Sequence, residues 1–467
     1  MTLIKSISGI RGTIGHNPGE GLTPPDIVKF TSAYALWIKK QKKKENYRII
    51  IGRDARISGQ MVNQLVCGTL MGMGMDVTDL GPASTPTVEM AVTDEKADGG
   101  IILTASHNPA EWNALKLLNR KGEFLSAEDG EKLLEIAEKG EFRYSEASGL
   151  GQYSTGSGFD DKHILAVTEL PLVNLEAIKK RNFRIVIDCV NSVGGIILPA
   201  LLKALGVDEV IRINCVPDGI FAHNPEPLPE NLTELSRSVV ENKADLGFAV
   251  DPDVDRLAIV NEDGSMFGEE YTLVAVADYV LKHNPGNTVS NLSSTKALKE
   301  ITEKYGAIYY ASAVGEVNVV NEMKLAGAVI GGEGNGGVIY PDLHYGRDAL
   351  VGIALFLSHL ADEGLKCSEL RKKYPGYHMS KNKIQLSPET DTSSILEEMK
   401  KEYSNVTDID GVRIDFPDGW VHLRKSNTEP IIRIYSEGEN REKAESLASN
   451  IIDKIKARLP GKADKDI

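Results

Sequence analysis

The stretch RIIIGRDARISG at residues 48 to 59, followed by a helical segment and then GMDVTDLG at 74 to 81, decides the fold. An apolar run stops at a polar turn, an amphipathic helix follows, and a second apolar run comes next. That order is the β-α-β unit of a mostly parallel sheet, whose crossover is nearly always right-handed. The layout recurs twice: RIVIDCVNSVGG at 184 to 195 leads into LPALLKALG and DEVIRIN, and NTVSNLSSTKALKEI at 287 to 301 leads into KYGAIYYASAVGE. Three related α/β domains in series follow from the repeat. After about Lys373 the pattern changes to short alternating stretches, VRIDF, GWVHLRKS and IIRIYSE, and one long helix from about Asn440 to Leu459. That spacing predicts an α+β domain with helices on an antiparallel sheet. The expected partition is 1–155, 156–257, 258–373 and 374–467.

Composition agrees with this scale. The 467 residues suffice for three or four domains at roughly 100 to 200 residues each. Hydrophobic content of 41% and charged content of 26% are those of an ordinary globular chain and exclude disorder, collagen and a disulfide scaffold. A formal net charge of -14 argues against nucleic acid or an anionic membrane as partner, so an anionic substrate would need local clusters of Arg and Lys. Cys67, Cys189, Cys215 and Cys367 are far apart, with no C-x-x-C and no paired His spacing, which predicts reduced thiols and no zinc site. The opening MTLIKSISGIRGTIG has no apolar signal region, and no apolar run approaches the roughly 20 residues of a membrane span. The expected location is the cytoplasm.

Four loops carry the chemistry. In GGIILTASHNPAEWNALKLLN, 99 to 119, a buried strand halts at TASHNP, which displays Ser106 at a strand end, where α/β domains collect ligands and catalytic groups. In ADLGFAVDPDVDRLAIV, 244 to 260, a buried strand ends in Asp251, Asp253 and Asp255. Period-two spacing puts the three carboxylates on one side, and like charges that close need a cation; an all-oxygen set suits Mg²⁺. In GGEGNGGVIY, 331 to 340, the glycines admit close backbone approach, while Glu333 and Asn335 offer acceptors and donors suited to sugar hydroxyls. In HLRKSNTEPIIRIY, 422 to 435, Arg424, Ser426, Asn427 and Thr428 share one turn between two strands, with Arg433 nearby, a composition that fits a phosphate cradle.

TASHNP, DPDVDR, GEGNGG and RKSNTEP, in this order, resemble the four signature loops of the α-D-phosphohexomutase superfamily across essentially the whole chain. SGIRG, GRDARISG, STPT at 84 to 87 and PDGIFAHNPEP at 217 to 227 resemble further family elements. The resemblance implies four domains around a central cleft, three similar mixed α/β domains and a C-terminal α+β domain, with one loop from each. It implies a phosphoserine at Ser106, Mg²⁺ on Ser106, Asp251, Asp253 and Asp255, and Arg11, His107 and Arg256 lining the same site. Lys116 matches the family's acid/base lysine. The implied activity moves phosphate between C1 and C6 of a hexose phosphate through a sugar 1,6-bisphosphate, which also serves as activator. The resemblance further implies a small phosphosugar as substrate and a monomer or homodimer; the RKSNTEP and GEGNGG wording is nearer the phosphoglucosamine mutase branch than the phosphomannomutase/phosphoglucomutase one.

The chain departs from the family pattern at three places. Gly337 stands where the sugar loop often has His, leaving His344 as the candidate replacement; Asn335 stands for the usual Ser, and Pro252 for a commoner Gly. Two readings from other classes stay open. A haloacid-dehalogenase-type phosphatase would use Asp251 as nucleophile, and a sugar-phosphate sensor would use no nucleophile at all.

Overall fold

Each of the three repeats builds a sheet with the same strand order. In the first, Arg48–Arg53 and Asp76–Pro82 run parallel, joined by the helix Gly59–Gly72, and Gly99–Leu103 returns parallel on the other side of Arg48–Arg53. Trp112–Leu118 then folds back antiparallel against Gly99–Leu103. Counted first to fourth in chain order, these strands lie in the order fourth, third, first, second. The same order recurs with Arg184–Asp188, Glu209–Ile213, Leu246–Val250 and Leu257–Asn261, and with Thr288–Asn291, Tyr309–Ser312, Ile330–Glu333 and Gly337–Ile339. The computed structural model describes residues 2–6, 9–387, 391–425 and 431–458.

The fourth strand is the element that a β-α-β pattern does not contain. Residues 104–111, 251–256 and 334–336 are too few for a crossover, so after the third strand the chain can only fold back as a hairpin. In the second domain this strand, Leu257–Asn261, pairs with Leu246–Val250 from Leu246↔Asn261 to Val250↔Leu257. The second sheet therefore runs past residue 257, where the composition placed a boundary.

The C-terminal domain is a wholly antiparallel sheet of His378–Gln385, Ile431–Gly438, Gly419–Lys425, Val412–Phe416 and Val406–Thr407, in that order. Helices Thr392–Glu402 and Arg441–Lys456 cover it, packing Ile395, Met399, Leu447 and Ile451 against Val421, Leu423 and Ile434. The long helix starts where its cap is: Asn440 Oδ1 accepts from the Lys443 N–H at 2.9 Å.

Helices Glu269–His283 and Ala349–Glu363 are enclosed on nearly every side, every residue from Glu270 to Leu281 and from Ala349 to Leu360 being buried. Phe356 on the latter meets Phe248 and Phe267 edge-on, at 6.2 and 5.1 Å between ring centroids. These helices knit the second and third domains into one continuous core, whereas the first and fourth domains keep their own. All four cysteines are free thiols. Among the described residues no helix is long and apolar enough to cross a membrane.

His359 lies within the shared core, 1% exposed, with Nε2 hydrogen-bonded to the Tyr374 hydroxyl at 2.9 Å. Burial pushes its pKa down to about 4 from an ordinary 6.5. Between those values the unfolded chain binds the proton and the folded chain does not, so stability falls as pH drops from about 6.5 to about 4 and is indifferent to this residue above that window. Urea unfolding of the wild type and His359→Gln across pH 4 to 8 checks this: the variant should lose less stability than the wild type over the acidic half of the range.

Candidate active site

The three hairpins place their loops at the C-terminal ends of the third strands, where open α/β sheets bind ligands. The Ser106 loop is wound around a guanidinium. Arg56, from the turn after the first strand, is 1% exposed. Its Nη1 donates to the carbonyls of Pro109 and Trp112 at 2.5 and 3.0 Å, and its Nη2 to those of Ser106 and Asn108, the latter at 2.7 Å. Asp54 holds the other side, accepting from Arg56 Nε at 2.9 Å and from the Thr104 hydroxyl at 2.6 Å. Thr104 Oγ1 in turn accepts from the Ser106 N–H at 3.0 Å. Under this grip Ser106 adopts φ +50°, a left-handed conformation that non-glycine residues avoid unless the surroundings impose it.

The imposed conformation aims the hydroxyl. Ser106 Oγ donates to Asp251 Oδ2 at 2.6 Å and lies 3.3 Å from His107 Nδ1. Asp251, Asp253 and Asp255 are fully buried, and one oxygen from each lies within 4.8 Å of the others. Pro252 and the left-handed Val254, φ +63°, turn the chain so that the Asp255 and Arg256 N–H groups both donate back to Asp251 Oδ1, at 3.2 and 3.1 Å. Asp253 Oδ2 accepts from Lys116 Nζ at 2.7 Å and from the Thr85 hydroxyl at 2.6 Å. Asp255 Oδ2 accepts from Arg347 Nη2 at 2.7 Å.

One oxygen of each of the last two carboxylates is thus held, while Asp253 Oδ1 and Asp255 Oδ1 are buried with no hydrogen-bond partner among the described residues. Burial, with Asp255 and Asp253 beside it, pushes the Asp251 carboxyl well above its usual range. Two orphaned carboxylate oxygens beside a crowded third are a donor set built for a hard cation.

Cations surround the triad. Lys116, on the fourth strand opposite Ile102, also lies 3.6 Å from Asp255. Burial opposes its charge, but Asp253 and Asp255 prevail and raise its pKa above the ordinary lysine value. Its nearest charged neighbours are carboxylates, so in this arrangement Lys116 is held charged and is not poised as a base near neutral pH. Arg11 loses basicity through burial and through Arg433 and Arg256, so three guanidiniums converge on one space. Burial, Arg256 and Arg347 push His107 well below its ordinary value, leaving it neutral. On the fourth domain, Arg424 and Arg433 are direct cross-strand partners, and Arg424 Nε is paired with Asp410 Oδ2 at 2.8 Å. Ser426, Asn427 and Thr428 lie outside the described residues.

The GEGNGG loop is anchored from behind. Glu333 Oε1 accepts from Asn291 Nδ2 at 2.8 Å and the Gly315 N–H at 3.1 Å, and Oε2 from Arg347 Nη1 at 2.8 Å. Burial works against its charge, yet Arg347 and Asn291 hold Glu333 below the usual carboxylate range. Asn335 Oδ1 accepts from the Gly337 N–H at 3.3 Å. His344 has both ring nitrogens beside carboxylates, Nδ1 3.4 Å from Glu89 and Nε2 3.3 Å from Asp348, and these outweigh burial to raise its pKa to about 10. That cluster belongs to the junction of the helices Thr85–Asp94, Phe159–Thr168 and Ala349–Glu363, with His163 on the same Asp348 at 2.8 Å.

Models of the four phosphoglucomutase/phosphomannomutase domains match in order: α/β/α domain I over residues 3–144, domain II over 161–264, domain III over 268–377, and the C-terminal domain over 385–454. The chain belongs to the phosphoglucomutase/phosphomannomutase family. A phosphoglucomutase/phosphomannomutase of Thermococcus kodakarensis is 35% identical over 97% of this chain and 98% of its own. A phosphoglucosamine/phosphogalactosamine mutase of Sulfurisphaera tokodaii is 33% identical over 97% and 98%. Among solved structures, a phosphoglucomutase/phosphomannomutase family protein of Burkholderia thailandensis superposes with a TM-score of 0.84, at 26% identity and 99% coverage of both chains.

Family membership leaves the aspartyl-phosphatase alternative without support. Sequence reasoning passed over Arg56, Thr85, Glu316 and Arg347. Only Arg56 and Thr85 left a signal, inside GRDARISG and STPT.

Lysine cannot reproduce the fork of Arg56 across the carbonyls of the Ser106 loop. Arg56→Lys should lower kcat by about 100-fold with a much smaller change in KM, since the loop would be misplaced by about an ångström while the substrate groups remain. Steady-state kinetics with circular dichroism as a folding control measures it.

Proposed function

We propose that the protein is a phosphohexomutase that carries phosphate on Ser106. The observation that carries this reading is the Ser106 hydroxyl 2.6 Å from Asp251, inside a buried carboxylate triad with two unpartnered oxygens. Asp251, Asp253 and Asp255 would hold Mg²⁺, which when bound supplies charge neutralisation for the phosphorylated serine. A phosphosugar would dock its phosphate on Arg424 with Ser426, Asn427 and Thr428, with Arg433 and Arg11 adding positive field, and offer its hydroxyls to Glu333 and Asn335. The sugar's free hydroxyl oxygen then bonds to phosphorus as the Ser106 Oγ–P bond breaks. The resulting 1,6-bisphosphate turns over in the cleft, and its other phosphoryl group returns to Ser106.

Lys116 neutralises the transferring group while Asp253 and Asp255 keep it charged. Were those carboxylates otherwise engaged, the same lysine would lose what raises its pKa and would be placed to take the hydroxyl proton. His107, neutral and 3.3 Å from Ser106 Oγ, steadies the hydroxyl. His344 is outside this chemistry, both its nitrogens being occupied.

The preferred substrate on this reading is glucosamine phosphate, supported by the RKSNTEP and GEGNGG wording and by the Sulfurisphaera relative's name. Hexose phosphates of the glucose and mannose series are the second reading, favoured by the name of the Thermococcus relative. The enzyme would work in the cytoplasm, where its phosphorylated substrates are kept. Measured with Mg²⁺ and a trace of the matching 1,6-bisphosphate, kcat/KM should favour glucosamine phosphate by about 10-fold or more. Equal or better rates with glucose and mannose phosphates would establish the second reading. Ser106→Ala should abolish turnover of all three; retained turnover would overturn the phosphoserine mechanism.

A further inference from the structure

One side chain joins the metal loop to the sugar loop. The Arg347 guanidinium, 9% exposed, donates from Nη2 to Asp255 at 2.7 Å, from Nη1 to Glu333 at 2.8 Å and from Nε to Glu316 at 3.0 Å. The Arg347 backbone N–H donates to the second oxygen of Glu316 at 3.1 Å, so the fork is fixed at its root as well as its tips. Three carboxylates from three separate segments therefore share one planar cation, whose rigid fork fits this task in a way no other side chain does.

The route of that side chain explains the departure at residue 337. A Cβ placed on Gly337 would overlap Arg347 Cδ and stand 3.1 Å from its Cγ. With its backbone and all three guanidinium nitrogens engaged, the arginine cannot swing aside. Either residue 337 carries a side chain or Arg347 crosses to the triad, not both.

We propose that Arg347 is the positioning residue of this site: it sets Asp255 toward the cation and Glu333 toward the sugar in one frame, through space that exists because residue 337 is glycine. Its role in this proposal is exercised through these two carboxylates. By holding Asp255 Oδ2 it leaves the unpartnered Oδ1 as the oxygen for a cation. The part concerning Glu333 rests on the mutase reading; the part concerning Asp255 does not.

The test is calorimetric titration of Mg²⁺ into the full-length wild type, Arg347→Lys and Gly337→Ala, with melting temperature and steady-state kinetics on the same preparations. Lysine keeps the charge but reaches one carboxylate at a time, and alanine at 337 displaces the arginine without altering any charge. Both variants should bind Mg²⁺ about 10- to 100-fold more weakly, the range seen when groups orienting metal ligands are removed. Both should raise KM for the phosphosugar as Glu333 loses its anchor. Lowered melting temperatures with Mg²⁺ affinity and KM within about 2-fold of wild type would reduce Arg347 to a structural ion pair and overturn the proposal. Should the wild type turn over no hexose phosphate, the mutase reading fails, while the Mg²⁺ titrations still decide whether Arg347 orients Asp255.

Discussion

Three aspartates buried within 4.8 Å of one another are the constraint on which the rest of the structure depends. Like charges so placed cannot all ionise in a dry interior without compensation. The compensation comes from separate parts of the chain: Lys116 and the Thr85 hydroxyl from the first domain, and Arg347 from the third. The charge problem of the second domain's loop is thus solved by its neighbours, and the same contacts tie the loops of the three domains together. Two carboxylate oxygens remain unsatisfied, and the Ser106 hydroxyl points at the same cluster. A chain with no cation or phosphoryl group to hold would have little reason to keep this arrangement.

The scaffold delivers these groups by repetition. Each α/β domain lays down the same strand order and then makes a hairpin after its third strand, so each contributes one short loop at the same end of its sheet. What differs is only what the loop presents: a hydroxyl, a carboxylate triad, or an acidic and amide pair. The fourth domain presents its loop from an antiparallel hairpin too, with Arg424 and Arg433 side by side at its base.

Much of this was legible in the sequence because it is local. A strand that stops at TASHNP or DPDVDR announces a displayed loop through the abrupt change from apolar to polar residues. The long helix expected after about Asn440 is found at Arg441–Lys456. The missed parts are those whose partners are distant. Arg56 reaches carbonyls of the Ser106 loop from 50 positions away and Arg347 reaches Asp255 from 92, and neither residue type nor spacing reveals such a partner. The state of Lys116 was missed for the same reason: its nearest neighbours in space are carboxylates from another domain. The extra antiparallel strand in each sheet was hidden because short apolar runs such as LAIVN look the same on either side of a domain boundary.

The central claim is that Ser106, rather than an aspartate, carries the phosphoryl group. The most direct measurement is phosphopeptide mapping by mass spectrometry of the wild-type protein after incubation with glucosamine 1,6-bisphosphate and Mg²⁺, before and after exposure to acid and to excess glucosamine 6-phosphate. The account predicts an acid-stable phosphate on the peptide containing Ser106 that is lost to the added sugar phosphate. A phosphate on the peptide containing Asp251, labile as an acyl phosphate, or a Ser106 phosphate that the sugar does not remove, would contradict it.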